Sequence, residues 1–543
     1  MTMKTYIKRF ITHNPLKGAL PQHNAHFCYT NSPFRGQGGR LPIYAIFLLF
    51  LYGCNDFLTE EPQSVLVQDY FYTSPERINE GIMGCYAGLA ALTQNEWLLT
   101  ELRSDNTWQY STGSSNVNRV AQTNLSLFRP FATMSEVQAY WQQAFSNISN
   151  INGVLLSVKD NKYVSQEPLR AQYEGELRFL RALHYYKLTS LYGDMFAVTT
   201  QLAPSEALTL TRRPVAEIFN DIVIPDLQIA MANLPEQYSS TDAGRATKWA
   251  AEALLAEAYM MLGGSANLAL AKPLLQDVMD APQLGLLLKY SDVFSTTNKM
   301  NKEIIFAVRY SRTTQGLGSP FTNLFAAENS GTDIVAVGQS YGYNTPTNEI
   351  MNLFNVNSEK DQRIPTCFQI YAKKATPIPY VSKFIDPNII YASNGENDWP
   401  EIRYADVVLL YAEVLAQDGN FATANQYVNQ IRNRAGLDPA PAYTSSTEAL
   451  DSVYAERRLE LAFENKRWFD LLRMATAYND PNKPMDILRT HIFVTDWEAM
   501  YNKYTSQPLP AASDFTNGKL LLPIPQYELN VNPAIPQNSA YAN

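Results

Sequence analysis

The sequence predicts a mainly α-helical protein in which tetratricopeptide-like helical hairpins form an α–α superhelical scaffold beside a loop-rich half with few short strands. The clearest evidence is segment 401–437, where apolar and small residues recur at the spacing of a tetratricopeptide hairpin. Further amphipathic helix pairs follow the same pattern at 246–279 and 169–234. Because one hairpin buries its apolar face only against another, these pairs are expected to stack.

The N-terminal segment 1–53 is distinct from the folded chain. It carries six basic residues and no acidic one, and it ends in the apolar run LPIYAIFLLFLY. The run is too short to span a bilayer, so the pattern indicates a secretory signal, with a short buried helix as the alternative. Leu51-Tyr52-Gly53 resembles a bacterial lipobox, which predicts lipidation at Cys54 and a tether over 54–68. A mis-assigned start codon would explain the long polar stretch before the apolar run.

Charge and cysteine content exclude several classes of protein. The net charge is −9, and removal of the six basic residues of 1–53 would take it to −15, which disfavours nucleic acid as a partner. Cysteines 28, 54, 85 and 367 lie too far apart for a metal cluster or a disulfide framework. We expect Cys85 and Cys367 to be buried thiols, with a single bridge as the alternative. No metal site and no cofactor are predicted.

The remaining elements follow in chain order, within a predicted N-terminal part at 69–300 and a C-terminal part at 301–543 that together are expected to form one compact unit. Pro75 opens a helix, since proline suits the first turn. We expect helices at 75–93, 134–158, 169–192, 214–234, 246–262, 266–279, 348–354 and 447–473, the hairpin at 401–437 and a strand at 303–310. The polar segment 101–129 is expected to be a long loop. The proline-rich tail from Leu520 is expected to be extended.

Charged residues three apart mark the segment 456–473. The pairs are Arg457 with Glu460, Glu464 with Arg467, and Asp470 with Arg473. This spacing places each pair on neighbouring positions of a helix surface. We interpret them as ion pairs that bridge stacked repeats, each contributing a few tenths of a kcal/mol if exposed, rather than as a ligand site.

One catalytic motif matches as text, the G-x-S-x-G at Gly338–Gly342. A nucleophile elbow requires a helix directly after Ser340, but Tyr343-Asn344-Thr345-Pro346 follows, and the only later histidine is His491. We therefore interpret the segment as a glycine-rich loop that presents Tyr341 and Tyr343. Phosphate-loop, dinucleotide and zinc-protease motifs are absent from the sequence. His184, on an apolar helix face, is interpreted as a core residue, and the chain is not expected to be an enzyme.

Aromatic loops remain as candidate ligand sites. Sugar rings have apolar faces that stack on tryptophan and tyrosine, while their hydroxyl groups hydrogen-bond to neighbouring polar side chains. The segment 103–110 combines both kinds of residue in Arg103, Asp105, Asn106, Trp108 and Tyr110. The other candidate ligand contacts are Tyr310, Tyr341, Tyr343 and Trp399. The alternative is a solvent-facing loop with one anchoring aromatic residue.

Several segments together resemble the SusD/RagB family of outer-membrane nutrient-binding lipoproteins. They run in order through nearly the whole chain after residue 53. They are Cys54-Asn55-Asp56-Phe57-Leu58, Glu101-Leu102-Arg103-Ser104-Asp105-Asn106, RFLRALHYYKLTSLYGD, GRATKWAAEALLAEAYMML, IRYADVVLLYAEVLAQDGN, ERRLELAFENKRWFDLLR, and LLPIPQYELNVNP with Pro536-Gln537-Asn538.

The resemblance implies a helical-hairpin scaffold with an irregular ligand-binding half, anchored by lipid at the outer face of the outer membrane. It further implies a SusC-like TonB-dependent transporter as partner and an oligosaccharide, or in some members a peptide, as ligand. Three hypotheses follow: a glycan-binding lipoprotein, a peptide-binding or purely structural transporter lid, and, remotely, a serine hydrolase. Tyr52 and the long N-terminal extension depart from the family pattern.

Overall fold

A computed structural model describes residues 71–109, 117–159, 163–356, 360–494 and 511–542. These residues lie within one compact unit, Leu66–Asn543. The predicted signal segment 1–53, the lipidation site Cys54, the tether 54–68 and the candidate ligand residue Tyr110 lie outside the described residues. The division of the chain at residue 300 stays a prediction.

The described chain is mainly helical. Its principal helices are α1 (Pro75–Leu99), α2 (Val117–Ser126), α3 (Ser135–Lys159), α4 (Glu167–Tyr192), α5 (Val215–Ile218 and Ile224–Asn233, joined by a π turn at Phe219–Val223), α6 (Lys248–Leu262), α7 (Ser265–Asp280), α8 (Phe321–Phe325), α9 (Asn348–Val356), α10 (Tyr404–Gln417), α11 (Phe421–Arg434), α12 (Ser446–Glu460), α13 (Lys466–Ala477), α14 (Lys483–Val494) and α15 (Gln526–Val531). Two further short helices are Pro204–Ala207 and Ile364–Cys367. Single 3-10 turns are Glu101–Arg103, Tyr290–Phe294, Gly331–Asp333, Ala512–Asp514, Asn517–Leu520 and Ser539–Tyr541.

Six short strands form three antiparallel two-stranded sheets in the part of the chain that the structure describes. The strands are β1 (Thr107–Trp108), β2 (Ile304–Val308), β3 (Thr345–Pro346), β4 (Phe368–Tyr371), β5 (Ile378–Val381) and β6 (Trp399–Arg403). They pair as β1 with β3, β2 with β6 and β4 with β5. Each pairing except β4–β5 connects segments far apart in sequence, and β1–β3 connects the 103–108 segment to the residues directly after the glycine-rich loop.

The three predicted hairpins are confirmed, and they stack. Helix α4 packs on α5, α6 on α7, and α10 on α11, while α5 contacts α6 and α7 contacts α10. Gly419 joins α10 to α11 with φ +78°, a left-handed conformation that glycine adopts without steric cost. Alanine, valine, leucine and isoleucine side chains of α10, α11 and α12 form a buried cluster between these helices. The scaffold is therefore one continuous stack, as repeat architectures require.

Two predicted boundaries are wrong in the C-terminal half. Residues 401–403 belong to strand β6, so the first hairpin helix begins at Tyr404. The predicted long helix 447–473 is two helices, because Phe463 (φ +67°) and Asn465 (φ +62°) take left-handed conformations that a helix does not tolerate. Between them, the buried Glu464 carboxylate pairs with Lys383 and Arg403. Tertiary ion pairing thus outweighs the local helical pattern.

Two segments predicted to lack helix contain one. The polar segment 101–129 holds α2, and the proline-rich tail holds α15, which starts directly after Pro525. Neither helix shows a long apolar period in sequence, so packing against the rest of the protein decides their conformation. The helix predicted at 214–234 is present but contains a π turn just before Pro225, which lacks the amide hydrogen of a regular helix.

The charged residues of 456–473 bridge helices as predicted, but they are buried rather than exposed. Arg457, fully buried, pairs with Asp406 of α10 and Asp470 of α13. The pair Asp470–Arg473 forms at 2.7 Å, whereas Glu460 pairs with arginines outside its own helix. Because both partners are desolvated, removing one member of such a pair costs several kcal/mol rather than a few tenths.

The sequence interpretations of the cysteines and of His184 are confirmed. Cys85 and Cys367 are both buried and free, and burial raises the pKa of the Cys85 thiol to about 12. His184 is 2% exposed, and its Nε2 lies 2.8 Å from the amide nitrogen of Asn147. Burial, assisted by the nearby Lys187 charge, lowers the pKa of His184 to about 3. All three side chains are core residues.

Candidate functional site

The predicted ligand residues Arg103, Asp105 and Asn106 are buried and paired with protein groups. The Asp105 carboxylate accepts two hydrogen bonds from the Arg467 guanidinium, both at 2.7 Å. The Asn106 side-chain oxygen accepts one from Arg458 at 2.9 Å. Burial alone would raise the pKa of Asp105, but the charges of Arg458 and Arg467 outweigh it and hold that pKa below its ordinary value. These hydrogen bonds and ion pairs connect the N-terminal part of the chain to α12 and α13.

Arg103 has a similar structural position. Its guanidinium lies 4.1 Å from the ring centroid of Trp468 and donates to the backbone oxygens of Lys519 and Leu520, each at 3.0 Å. The side chain is fully buried, and burial lowers its pKa to about 10. Arg103 thus connects α13 to the C-terminal tail, and the predicted ligand contact through Arg103 stays a prediction.

Three predicted aromatic contacts are also buried. Trp108 lies in β1 and is 3% exposed, with Thr345 of β3 as its strand partner. The Tyr310 hydroxyl donates to the backbone oxygen of Ala90 at 3.0 Å, and the ring is 4% exposed. Trp399 lies in β6 and stacks on Phe384 at 4.5 Å between centroids. Trp108 and Trp399 are therefore covered by protein, which favours a positioning role over stacking on a ligand, whereas Tyr310 also borders a cavity beside α1.

The glycine-rich loop holds the aromatic residues that the structure brings together. Tyr341 stacks on Tyr343 at 5.5 Å between centroids, and Tyr343 stacks on Trp97 of α1 at 6.1 Å. Trp97 is 2% and Tyr343 8% exposed, whereas Tyr341 is only half-buried. Burial raises the pKa of Tyr343. The three rings form a column, here named the Tyr341 column, that begins in the core and ends at the surface with Tyr341.

Backbone and side-chain hydrogen bonds hold this loop in place. The amides of Tyr341 and Tyr343 donate to the backbone oxygens of Asn323 and Leu324 of α8 at 2.9 and 2.8 Å. Arg119 of α2 donates to the Tyr341 backbone oxygen at 2.9 Å and forms a bidentate pair with Glu328. The Arg119 guanidinium also lies 5.6 Å from the Tyr343 ring centroid. The column is therefore preorganised rather than mobile in the folded chain.

Sequence reasoning missed Trp97, Arg119 and Glu328. Trp97 lies beyond the predicted end of the first helix, and Arg119 lies in a segment that was predicted to be a loop. Glu328 lies in a sequence of no evident pattern, and its pairing with Arg119 spans more than 200 residues. The aromatic spacing Tyr341-x-Tyr343 was the only local signal for this site.

The geometry of the G-x-S-x-G loop does not match a nucleophile elbow. Ser340 is 1% exposed, and its hydroxyl oxygen accepts hydrogen bonds from both the amide and the hydroxyl of Ser330, at 2.9 and 3.0 Å. An elbow would instead present the serine oxygen at the start of a helix, beside a histidine. His491 has its Nδ1 2.6 Å from a carboxylate oxygen of Glu349. Ser340 therefore has a structural position, in which its hydrogen bonds connect the glycine-rich loop to Ser330.

Cavities occur along helix α1. One of about 520 Å³ is bordered by Gln94, Tyr310 and Leu317, and another of about 370 Å³ lies beside it, with Ala87 and Arg309 lining both. Sites of this size accommodate small ligands. Among the described residues, no group of three or more histidine, cysteine, aspartate or glutamate side chains is arranged to hold a metal ion. None of the described helices combines the length and apolarity needed to cross a membrane.

The stacked helical hairpins and the short aromatic column of the irregular half are features of a binding protein built on a helical scaffold. Two family models match this chain: the SusD family at residues 365–541 and a family described as starch-binding associating with outer membrane at residues 56–260. The chain belongs to the SusD/RagB family, as the resemblance of its segments predicted.

Relatives cover nearly the whole chain. A SusD-like protein of Formosa agariphila is 26% identical over an alignment that covers 92% of this chain and 98% of the relative. Among solved structures, surface glycan-binding protein A from Bacteroides uniformis is 23% identical, with a TM-score of 0.70 over 86% of this chain and 99% of that one. Surface glycan-binding protein A from Bacteroides thetaiotaomicron, in complex with laminarihexaose, is 21% identical, with a TM-score of 0.69 over 86% and 100%. The two structures share the fold.

Proposed function

We propose that this chain is a non-catalytic glycan-binding protein of the cell surface, which delivers oligosaccharide to a SusC-like TonB-dependent transporter in the outer membrane. The observation that carries the proposal is the Tyr341 column, which ends at the surface in a ring held from below by two buried aromatic side chains. A sugar ring presents an apolar face of matching size. The laminarihexaose complex of a protein with the same fold supports this ligand class.

In this proposal the residues take two roles. Tyr341 supplies the stacking face, and Tyr343 and Trp97 fix its orientation, so that little side-chain entropy is lost on binding. Asp105, Asn106 and Trp108 support the loop indirectly, because their backbones bind Thr345 and Thr347 directly after it, whereas Arg103 fixes the C-terminal tail. Tyr310 and Trp399 support the strand pair β2–β6 and α8.

A glycan array tests the ligand class. We expect wild-type protein to retain one or a few related glycans and Tyr341→Ala to lose them with an unchanged melting temperature. Tyr527→Ala is the matched control, since Tyr527 is 52% exposed on α15 and lies outside the loop. Co-purification with a TonB-dependent barrel but retention of no glycan would contradict the proposal and favour a peptide-binding or structural lid.

The absence of catalysis is tested separately. Purified protein is incubated with a polysaccharide panel and with ester substrates, and we expect no turnover above buffer. Turnover that Ser340→Ala removes would overturn the non-catalytic assignment and restore the serine hydrolase hypothesis. The hydrogen bonds that Ser340 accepts from Ser330 support the expected result.

Membrane attachment is proposed to depend on Cys54, the predicted lipidation site. If the lipid on Cys54 is the membrane anchor, the protein loses stable attachment to the membrane without it, unless contacts with a membrane protein replace it. We expect Cys54→Ala to move the protein from the outer-membrane fraction to the soluble fraction and to abolish incorporation of labelled palmitate. Unchanged fractionation and labelling would contradict the anchor.

A further inference from the structure

Tyr391 is an exposed aromatic side chain in a surface loop, and residues 390–393 are all exposed. Tyr391 is 42% exposed, and its neighbour Ile390 is 57% exposed. Three residues after Tyr391, the side chain of Asn394 is only 2% exposed. Val337, at the start of the glycine-rich loop, is 38% exposed. Apolar side chains of both loops therefore reach the surface while the backbones beneath them are fixed.

One buried side chain connects the two loops. The Asn323 amide nitrogen donates to the backbone oxygens of Val337 and Gln339 at 3.0 and 2.9 Å. Its side-chain oxygen accepts the backbone N–H of Ser393 at 2.8 Å, and its backbone oxygen accepts that of Tyr341. Asn323 is 1% exposed, so these bonds are protected from water. The backbones at 337–341 and at 393 are thus held in one fixed arrangement.

Direct contact between the loops brings Tyr341 and Tyr391 near each other. Gly338 has φ +87°, and a Cβ atom there would lie 2.6 Å from the Cβ of Ala392. Only glycine permits this approach. Tyr341 is three residues from Gly338, and Tyr391 is adjacent to Ala392. Since a residue spans at most about 3.6 Å, the Cα atoms of the two tyrosines lie within about 20 Å of each other.

The loop that carries Tyr391 is also held at Asn394, three residues further along. The Asn394 side-chain oxygen accepts the backbone N–H groups of Gly316 and Gly318, both at 2.9 Å, and its amide nitrogen donates to the backbone oxygens of Arg312 and Thr314. A surface aromatic residue on irregular backbone held this firmly is preorganised for contact, as binding loops are. Structural packing alone would not require Tyr391 to face solvent.

From this arrangement we propose that the ligand site extends from Tyr341 to Tyr391 and that it takes an extended oligosaccharide. This inference rests on the proposed glycan-binding function. Tyr341 binds one sugar ring, and Tyr391 contacts a further unit of the same chain. A disaccharide occupies the Tyr341 end only, whereas a hexasaccharide contacts both tyrosines.

Calorimetric titration with chains of defined length tests the extension. The probes are linear di-, tetra- and hexasaccharides of β-1,3-, β-1,4- and α-1,4-linked glucose and of β-1,4-linked mannose and xylose, and the proteins are wild type, Tyr341→Ala, Tyr391→Ala and Tyr527→Ala. We expect wild type to bind its hexasaccharide more tightly than the matching disaccharide. Tyr391→Ala should weaken the hexasaccharide about tenfold while leaving the disaccharide within about twofold. Tyr341→Ala should weaken both, and Tyr527→Ala neither.

The outcomes separate the two proposals. If wild type binds none of the oligosaccharides, the proposed function fails, and the extension fails with it. If Tyr341→Ala weakens binding but Tyr391→Ala leaves the hexasaccharide unchanged, the function stands and the extension is overturned. Equal weakening of disaccharide and hexasaccharide by Tyr391→Ala would also overturn it, because it indicates one compact site. Unchanged melting temperatures of both variants establish that the losses are local.

Discussion

At the scale of single residues, side chains that suggested a ligand site are buried and pair with distant protein groups. Arg103, Asp105 and Asn106 are polar residues beside aromatic ones, a composition typical both of a sugar-binding site and of buried polar contacts between distant segments. Sequence does not distinguish the two, because their partners Arg458, Arg467 and Trp468 lie more than 350 residues away. Burial depends on those distant partners.

Asp105→Ala should strongly destabilise the protein. The substitution leaves the buried Arg467 guanidinium without its carboxylate and leaves Arg458 with the carboxylate of Glu349 alone, which costs about 3–5 kcal/mol. Urea denaturation at neutral pH measures the loss. The matched control is Asp486→Ala, because Asp486 pairs with Arg489 at the surface, with side chains 55% and 42% exposed. The control should cost less than about 1 kcal/mol, and equal losses would contradict these buried polar contacts.

His184 should make stability depend on pH in the acid range. The folded pKa of about 3 lies below the ordinary value of 6.5, so below pH 6.5 the unfolded chain binds a proton that the folded chain rejects. The free energy of unfolding therefore falls as pH falls from 6.5 towards 3, by up to about 1.4 kcal/mol per pH unit.

His184→Gln tests this assignment. The variant keeps an acceptor for Asn147 but has no titrating group. We expect it to be less stable than wild type at pH 7.5 and the difference to narrow at pH 4.5, as measured by urea denaturation at both pH values. A difference that is the same at both pH values would show that His184 does not titrate as its burial requires.

At the scale of elements, the hairpins were predictable because their apolar period is long and local. The break between α12 and α13 was not predictable from local sequence. Phe463 and Asn465 adopt left-handed conformations on either side of Glu464, whose carboxylate pairs with the distant Lys383 and Arg403. Helix α2 was missed for the same kind of reason, because Arg119 is fixed by Glu328 rather than by its own helix. Long-range ion pairs thus decide the elements that local pattern misses.

Two glycines with similar backbones should differ in their tolerance of alanine. Gly419 and Gly263 have φ +78° and +69°, so alanine costs about 1–2 kcal/mol of backbone strain at either. A Cβ at Gly419 meets no atom within 4 Å, whereas at Gly263 it would lie 2.7 Å from the Cβ of Thr476. We expect Gly263→Ala to lower the free energy of unfolding clearly more than Gly419→Ala. Equal losses would contradict the close packing of α6 against α13.

At the scale of the whole molecule, buried pairs between the N-terminal and C-terminal parts should make the chain unfold as one unit. Lys187 of α4 pairs with Glu401 of β6, and Asp105 pairs with Arg467 of α13. Differential scanning calorimetry should show a single cooperative transition for the chain from residue 66 onwards. Two separated transitions would contradict the coupling and support independent folding of the parts predicted at 69–300 and 301–543.

The fold class and the family were accessible from sequence, and the candidate site only in part. The Tyr341-x-Tyr343 pattern in a glycine-rich loop was visible, but its support by Trp97 and Arg119 and its proximity to Tyr391 depend on the tertiary fold. Conversely, the sequence offers Trp108 and Trp399 as ligand contacts equally well, and only their burial in the paired strands β1 and β6 shows that they are covered.

The affinity of Tyr341→Ala for the glycan that wild type retains tests the central claim most directly. Isothermal titration calorimetry should show binding weakened at least about tenfold, with an unchanged melting temperature, because the column loses its outer ring. Wild-type affinity in a folded Tyr341→Ala protein would contradict the assignment of ligand binding to the Tyr341 column.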